Sequence, residues 1–238
     1  MWESEIEGKK LTFHLAGINN QNFIMRDEET GSWWQQVTGE AIHGTLKGRK
    51  LNSVFNDEIS FAVWKREHPN GRVLRPDERV VKKYEVANWE EEYAKLPVVT
   101  PKNPQDRFAP RTLMAGITLN HKSKAYPIKD LQKPRLILDM IGTTPIFLVI
   151  GDDKKSVRAF ERIIDGRELE FLVKPDIDPL QIVDAETATV WDFSGKGVSG
   201  ALAGKQLKPV PVLKDYWFDW KIYHPDSLVY TLGARATY

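Results

Sequence analysis

Cysteine is absent from all 238 residues, which excludes disulfides, thiolate metal sites and a cysteine nucleophile. The absence leaves the compartment open, since exported proteins can lack cysteine too. A surplus of either charge is also missing. Lys and Arg number 34 against 33 Asp and Glu, so there is no global field to draw the chain to nucleic acid or to an anionic membrane. The longest apolar run, Pro145 to Ile150 with its neighbours, falls far short of the roughly 20 residues of a membrane helix. Met1-Trp2-Glu3-Ser4-Glu5 has neither the basic nor the apolar region of a signal peptide. Gly-rich phosphate loops, metal-spaced histidine pairs and a Gly-x-Ser-x-Gly elbow are likewise absent. What remains, 41% apolar and 28% charged residues, is the composition of a soluble globular protein with one large domain or two small ones.

The chain contains a diverged copy of itself. Ile6 to Leu74 reappears as Ile164 to Tyr230, displaced by 158 residues at first and by 156 after two single-residue gaps. Gly8 and Phe13 recur as Gly166 and Phe171, and Asp27-Glu28-Glu29-Thr30 as Asp184-Ala185-Glu186-Thr187. Trp34, Gly39 and Gly44 recur as Trp191, Gly195 and Gly200, and Trp64 with His68-Pro69 as Trp220 with His224-Pro225. A match at one consistent spacing marks a duplication. It also sorts residues: positions that both copies keep build the shared fold, and positions that one copy keeps are candidates for function.

Period-two patterns predict strands at Leu11–Leu15, Phe23–Met25 and Ser32–Val37, with turns at Glu7-Gly8 and Asp27–Gly31. Ile59–Glu67 reads as a short amphipathic helix ended by His68-Pro69, repeated at Tyr216–Tyr223. The expected class is α+β, predominantly antiparallel β, built on a duplicated strand-rich unit closed by a short helix. Residues 1–76 form a first, incomplete unit and 77–111 a connecting segment, while 112–238 form a second unit. The second carries an extension, Thr112 to Glu161, with strands expected at Leu113–Leu119, Arg135–Met140 and Thr144–Ile150. In the connecting segment a helix near Trp89–Leu96 places Trp89 and Tyr93 on one stripe, which predicts docking by those two rings.

The block from Thr30 to Ile42, with Trp33-Trp34-Gln35-Gln36 at its centre and Gly44 and Gly48 beyond, resembles the signature of a prokaryotic family known as domain of unknown function 3179. Asn20, Asn22, Met25 and Asp27 match its N-S-x-L-x-M-Y-D segment, and Ala125-Tyr126-Pro127 resembles the start of its second half. The resemblance brings no activity with it. Relatives place a strand pair and a short cysteine motif before the Gly8 strand, whereas the second copy here has Gly151-Asp152-Asp153-Lys154-Lys155 at the corresponding place. Thiol or metal chemistry is therefore unsupported. Relatives also lean towards export, against the missing signal peptide, and the expectation is that Met1 is an internal position of a longer ancestral frame.

Trp33, Trp34, Gln36, Glu40 and His43 are the candidate ligand-binding residues. The second copy has Phe193, Lys196 and Ser199 where the first has Gln36, Glu40 and His43. Glu and His suit acid/base work, and exposed Trp faces suit sugars or cations. The competing reading makes both Trp residues core and leaves Gln36 and Glu40 bonding turn backbone. Asp27 and Asp184 read as turn residues that accept their own backbone N–H groups. His68 and His224 read as helix-end caps. No complete set of nucleophile, base and orienting group can be assembled. The leading expectation is thus a non-catalytic module that binds a small molecule, glycan or partner. The alternative is a hydrolase using Glu40 and His43. No cofactor, metal or oligomeric state follows from the sequence.

Overall fold

The structure is a computed structural model that describes residues 1–19, 22–83, 88–99, 103–175 and 177–232. Asn20, one of the residues carrying the family resemblance, lies outside them. The first copy begins with a hairpin of β1 (Glu5–Ile6) and β2 (Lys9–Lys10), turned at Glu7 and Gly8, both of which have positive φ. An antiparallel sheet follows, of β3 (Phe13–Asn19), β4 (Asn22–Asp27), β5 (Trp33–Gln35) and β6 (Glu40–His43), in that spatial order. The predicted strand through Val37 stops at Gln35, because Gln36 to Gly39 is the turn that reverses the chain. Gly39 has a φ of 71°, and a Cβ there would lie 2.6 Å from the Trp2 ring. Helix α1 (Phe61–Glu67) is capped by Ser60, whose Oγ accepts the Val63 N–H.

Within the connecting segment α2 (Trp89–Lys95) has no buried residue. The predicted docking by Trp89 and Tyr93 is corrected: each is nearly half exposed and they pack edge to face on one another at 5.7 Å. Glu90, Glu91 and Glu92 solvate this helix. The segment anchors later, where Phe108 packs against Trp217 at 5.7 Å and Arg107 donates to Thr231 Oγ1 at 2.6 Å.

The extension supplies β7 (Leu113–Leu119), β8 (Lys122–Pro127), α3 (Ile128–Leu131), β9 (Leu136–Ile141), β10 (Thr144–Ile150) and β11 (Val157–Glu161). Strand β10 is central, paired on one side with β9 and on the other with β11. Its apolar run is continuous because alternate residues feed two cores. Ile146, Leu148 and Ile150 enter one, with β7 and β8; Phe147 and Val149 enter the other, with the duplicated sheet of the second copy.

That sheet repeats the first copy element by element. A hairpin of β12 (Ile163–Ile164) and β13 (Arg167–Glu168) precedes β14 (Phe171–Val173), β15 (Ile182–Asp184), β16 (Val190–Trp191) and β17 (Gly197–Ser199). Then come β18 (Pro209–Val210), β19 (Leu213–Tyr216), helix α4 (Trp217–Tyr223) and β20 (Leu228–Val229). The bridge Glu40↔Lys50 recurs as Lys196↔Gln206, and a Cβ on Gly195 would meet the Phe160 ring as one on Gly39 meets Trp2. Among the described strand pairs only β20 with β8 is parallel. The fold is α+β and predominantly antiparallel β.

The copies meet in two seams, each made by a helix. At the first, Val63 of α1 enters the core of the second copy. Arg158 clamps that seam, reaching Asp57 at 2.7 Å and Glu67 at 2.6 Å while donating to the Phe193 carbonyl. At the second, α4 seats Trp220 against Gly116 of β7 and turns Asp219 towards β4 of the first copy. Trp34 and Trp191 are fully buried and Trp33 is 41% exposed. Trp34→Ala or Trp191→Ala is therefore expected to cost about 3–5 kcal/mol and Trp33→Ala less than about 1 kcal/mol. Urea unfolding measures the difference.

Candidate functional site

Strand alternation divides the sheet of the first copy into two chemically distinct faces. On the inner face the Trp34 indole donates to Asp27 Oδ2 at 2.8 Å, and Asp27 also accepts the backbone N–H and hydroxyl of Thr30. Burial opposes the charge on Asp27, but the bonds from Trp34 and Thr30 outweigh it and hold the carboxyl below its usual range. The second copy repeats the device, with Trp191 donating to Asp184 at 2.8 Å and Thr187 turning onto it. Asp27 and Asp184 are thus turn and core residues. Trp34 is corrected from a candidate ligand platform to core, since a fully buried ring presents no face to a ligand. Gln36 also separates from the group: it lies in the turn, where its carbonyl accepts from the Trp2 indole at 2.6 Å.

On the outer face the strand register aligns four exposed side chains in a row. His14 pairs with Arg26, Arg26 with Trp33, and Trp33 with His43, whose rings meet edge to face at 6.3 Å. Glu40 stands opposite Gln35 on the same face, one position along. The register of the second copy places Leu172, Val183, Val190 and Ser199 in the equivalent row. A basic and aromatic row in one copy is therefore aliphatic and hydroxylic in the other. The face is open rather than a pocket. The larger of two described cavities, about 330 Å³, lies at the Arg158 seam between Phe55, His68 and Gln206. Among the described residues no hydrogen bond joins the Glu40 carboxylate to the His43 ring, and no cluster of His, Asp and Glu is arranged to hold a metal.

The far end of this outer face is closed by α4. The Asn22 amide donates to Asp219 Oδ2, and Tyr223 Oη lies beside Asn22 and Gln35. Asp215, at the end of β19, faces Asp219, so two carboxyls occupy one largely buried place. Asp219 Oδ1 and Tyr223 Oη are buried without a well-formed hydrogen bond among the described residues. Burial, and then the charge of Asp219, push the Asp215 carboxyl up to about 8. Burial raises Asp219 as well, against the hydrogen bond from Asn22. Glu58 adds a further negative charge, itself paired with Lys214 at 2.7 Å. Sequence reasoning missed this pair, although the comparison of copies contains the signal. The first copy has Ile59, Val63 and Glu67 where the second has Asp215, Asp219 and Tyr223.

The histidines at the helix ends are structural. The His68 and His224 backbone N–H groups donate to the Trp64 and Trp220 carbonyls, and the His224 ring stacks on Trp220 at 3.8 Å. In the Gly151–Lys155 turn, Asp152 pairs with Arg135 at 2.6 Å and Asp153 accepts from Ser156, so both carboxylates are structurally committed.

The raised Asp215 pKa has a definite consequence for stability. A carboxyl with a higher pKa in the fold than in the unfolded chain favours the fold while protonated. Its contribution is complete below the unfolded value of 3.8 and is lost as pH rises through about 8. Asp215→Asn removes that loss. The variant is expected to gain stability relative to the parent between about pH 5 and about pH 9, read as the difference in melting temperature. A difference that stays constant across that range would show that Asp215 ionises freely in the fold.

No helix among the described residues is long and apolar enough to cross a membrane. Neither a curated protein nor a solved structure matches the chain. A family model described as "Protein of unknown function (DUF3179)" matches residues 1–227, carrying the Trp33-Trp34-Gln35-Gln36 block, both sheets and α4 with it. The chain belongs to that family.

Proposed function

We propose that the protein is a non-catalytic ligand-binding module whose two units, residues 1–76 and 112–238, are joined by 77–111. The ligand lies on the outer face of the first unit, over Trp33, with Arg26, Glu40 and His43 around it. One observation carries this reading: the row His14, Arg26, Trp33, His43 is exposed across four strands, and the same scaffold in the second copy bears Leu172, Val183, Val190 and Ser199. A fold has no need of an exposed Trp between a guanidinium and an imidazole, since the second sheet is built without them. Stacking on the indole and hydrogen bonds from the flanking groups suit a small molecule or a glycan. An open face without an oriented acid/base pair favours binding over hydrolysis.

A thermal-shift screen of small molecules and glycans finds the ligand, because binding to the folded state raises the melting temperature. Trp33→Ala, Glu40→Gln and His43→Ala are each expected to remove the shift while lowering the unliganded melting temperature by less than about 4 °C. Val190→Ala, Lys196→Gln and Ser199→Ala in the second copy are expected to leave it intact. A ligand whose shift survives Trp33→Ala lies elsewhere.

A further inference from the structure

Each copy sets the turn of its sheet against an aromatic ring and against the helix end of the other copy. In the first copy the ring is Trp2, which packs on Gly39, and the helix end is His224. Lys50 Nζ stands over the Trp2 ring at 5.8 Å. Burial disfavours a proton on the His224 ring, and the Lys50 charge opposes it further. In the second copy the ring is Phe160, which packs on Gly195, and the helix end is Glu67 with His68. At the duplicated spacing Gln206 replaces Lys50, so a neutral amide stands where the first copy has a cation. Phe160, Glu67, His68 and Gln206 line the cavity of about 330 Å³ at the Arg158 seam.

The polar groups of that cavity are largely of one kind. Asp57 and Glu67 line it, where the duplicated positions at the other seam are Leu213 and Tyr223. Against these two carboxylates stands the Arg158 guanidinium, whose N–H groups are all given to Asp57, Glu67 and the Phe193 carbonyl. It has no donor left for an anion. Asp57 receives both of its bonds from Arg158 on Oδ2, which leaves Oδ1. Gln206 Nε2 donates to the Ser194 and Leu207 carbonyls at 2.8 and 3.4 Å, which leaves Oε1. Ser194 Oγ donates to Asp192 at 2.6 Å. Apart from the His68 ring, the uncommitted polar side-chain atoms of the lining are thus acceptors, and Phe55, Phe160 and Val210 supply apolar wall between them.

We infer that this cavity binds a small organic cation, an ammonium or guanidinium on an apolar body, which donates to Asp57 and Gln206 and packs its body against Phe55 and Phe160. Two carboxylates against one guanidinium leave negative charge in excess along the lining. A cation over an aromatic face is the arrangement that Lys50 and Trp2 make at the equivalent place in the first copy. The cavity has the volume of a small-ligand site and the usual mixture of apolar wall with a few convergent polar groups. An anion would find neither donors nor complementary charge there. This site is separate from the Trp33 row, since it lies at the α1 seam and is built largely from the second copy.

Calorimetric titration of the full chain with 2-phenylethylammonium tests this, with 2-phenylethanol as the neutral counterpart. The cation is expected to bind with a dissociation constant of about 0.1–10 mM, more weakly as salt is added, and the alcohol not to bind in that range. Gln206 is exposed, so its substitutions spare the fold. Gln206→Lys, which supplies the cation of the first copy, is expected to remove binding while moving the melting temperature by less than about 4 °C. Gln206→Glu is expected to tighten binding roughly fivefold. Trp33→Ala is expected to leave it intact, which separates this cavity from the outer face of the first sheet. The inference is overturned if the cation fails to bind below about 10 mM or if the alcohol binds as tightly. Binding that survives Gln206→Lys, or that is lost with Trp33→Ala, overturns it as well, because the cation then lies elsewhere.

Discussion

A buried carboxylate holding an indole N–H is the contact around which each half of the molecule is arranged. Asp27 with Trp34 and Asp184 with Trp191 join a turn to the centre of a sheet, and the acceptor is charged. A charge-assisted bond of this kind is strong, and a buried carboxylate without its donors would be costly. The bond therefore fixes which side of the sheet faces inward. Once Trp34 points in, the alternation of β5 forces Trp33 and Gln35 out. The outer row from His14 to His43 is thus a consequence of an inner hydrogen bond.

Duplication supplied two such frames, and the molecule has used them differently. The second is enclosed between the extension and α1, and its outer row is aliphatic. The first carries a basic and aromatic row on its outer face, exposed from His14 to His43. A scaffold that folds twice with different outer residues separates what the fold demands from what is added to it. The glycines of the turns belong to the first class: Gly39 and Gly195 leave no room for a Cβ against Trp2 and Phe160. The Arg26 and Trp33 positions belong to the second.

Much of this was legible in the sequence. Strands β7 and β10 begin and end where the apolar runs do, and both short helices end at His-Pro as expected, because period and punctuation are local signals. The face each Trp takes was legible only through the duplication, which keeps Trp34 as Trp191 and puts Val190 in place of Trp33. Within the block itself two adjacent indoles point to opposite sides of a strand, and the bond from Trp34 to Asp27, seven residues away, holds one of them in the core. The stripe of Trp89 and Tyr93 misled for a related reason: a spacing of four makes a stripe but does not supply a surface to receive it. The carboxyls Asp215 and Asp219 escaped because the closing helices match at Trp64 and Trp220 and at the His-Pro pairs, and what the copies share there draws the eye from where they differ. Position by position, the same duplication sets Ile59 and Val63 against them.

That helix difference gives the two seams opposite electrostatics. At the α1 seam one guanidinium faces two carboxylates, and Arg158 spends all its N–H groups on Asp57, Glu67 and the Phe193 carbonyl. Complementary charge holds this contact wherever Asp57 and Glu67 are ionised. At the α4 seam two carboxyls face each other beside Glu58, with Lys214 paired to Glu58 and Asp219 bonded to the Asn22 amide and to Asp215. Like charges in a buried place cannot both ionise cheaply, so this contact retains a proton. The copies are therefore tied at one helix by the Arg158 ion pairs and at the other by the hydrogen bond from Asn22 to Asp219 and the pair of Glu58 with Lys214. The protonated seam borders the strands, β4 and β5, that carry Arg26 and Trp33, so the end of the outer face at Asn22 and Gln35 is the part of the site whose surroundings respond to pH.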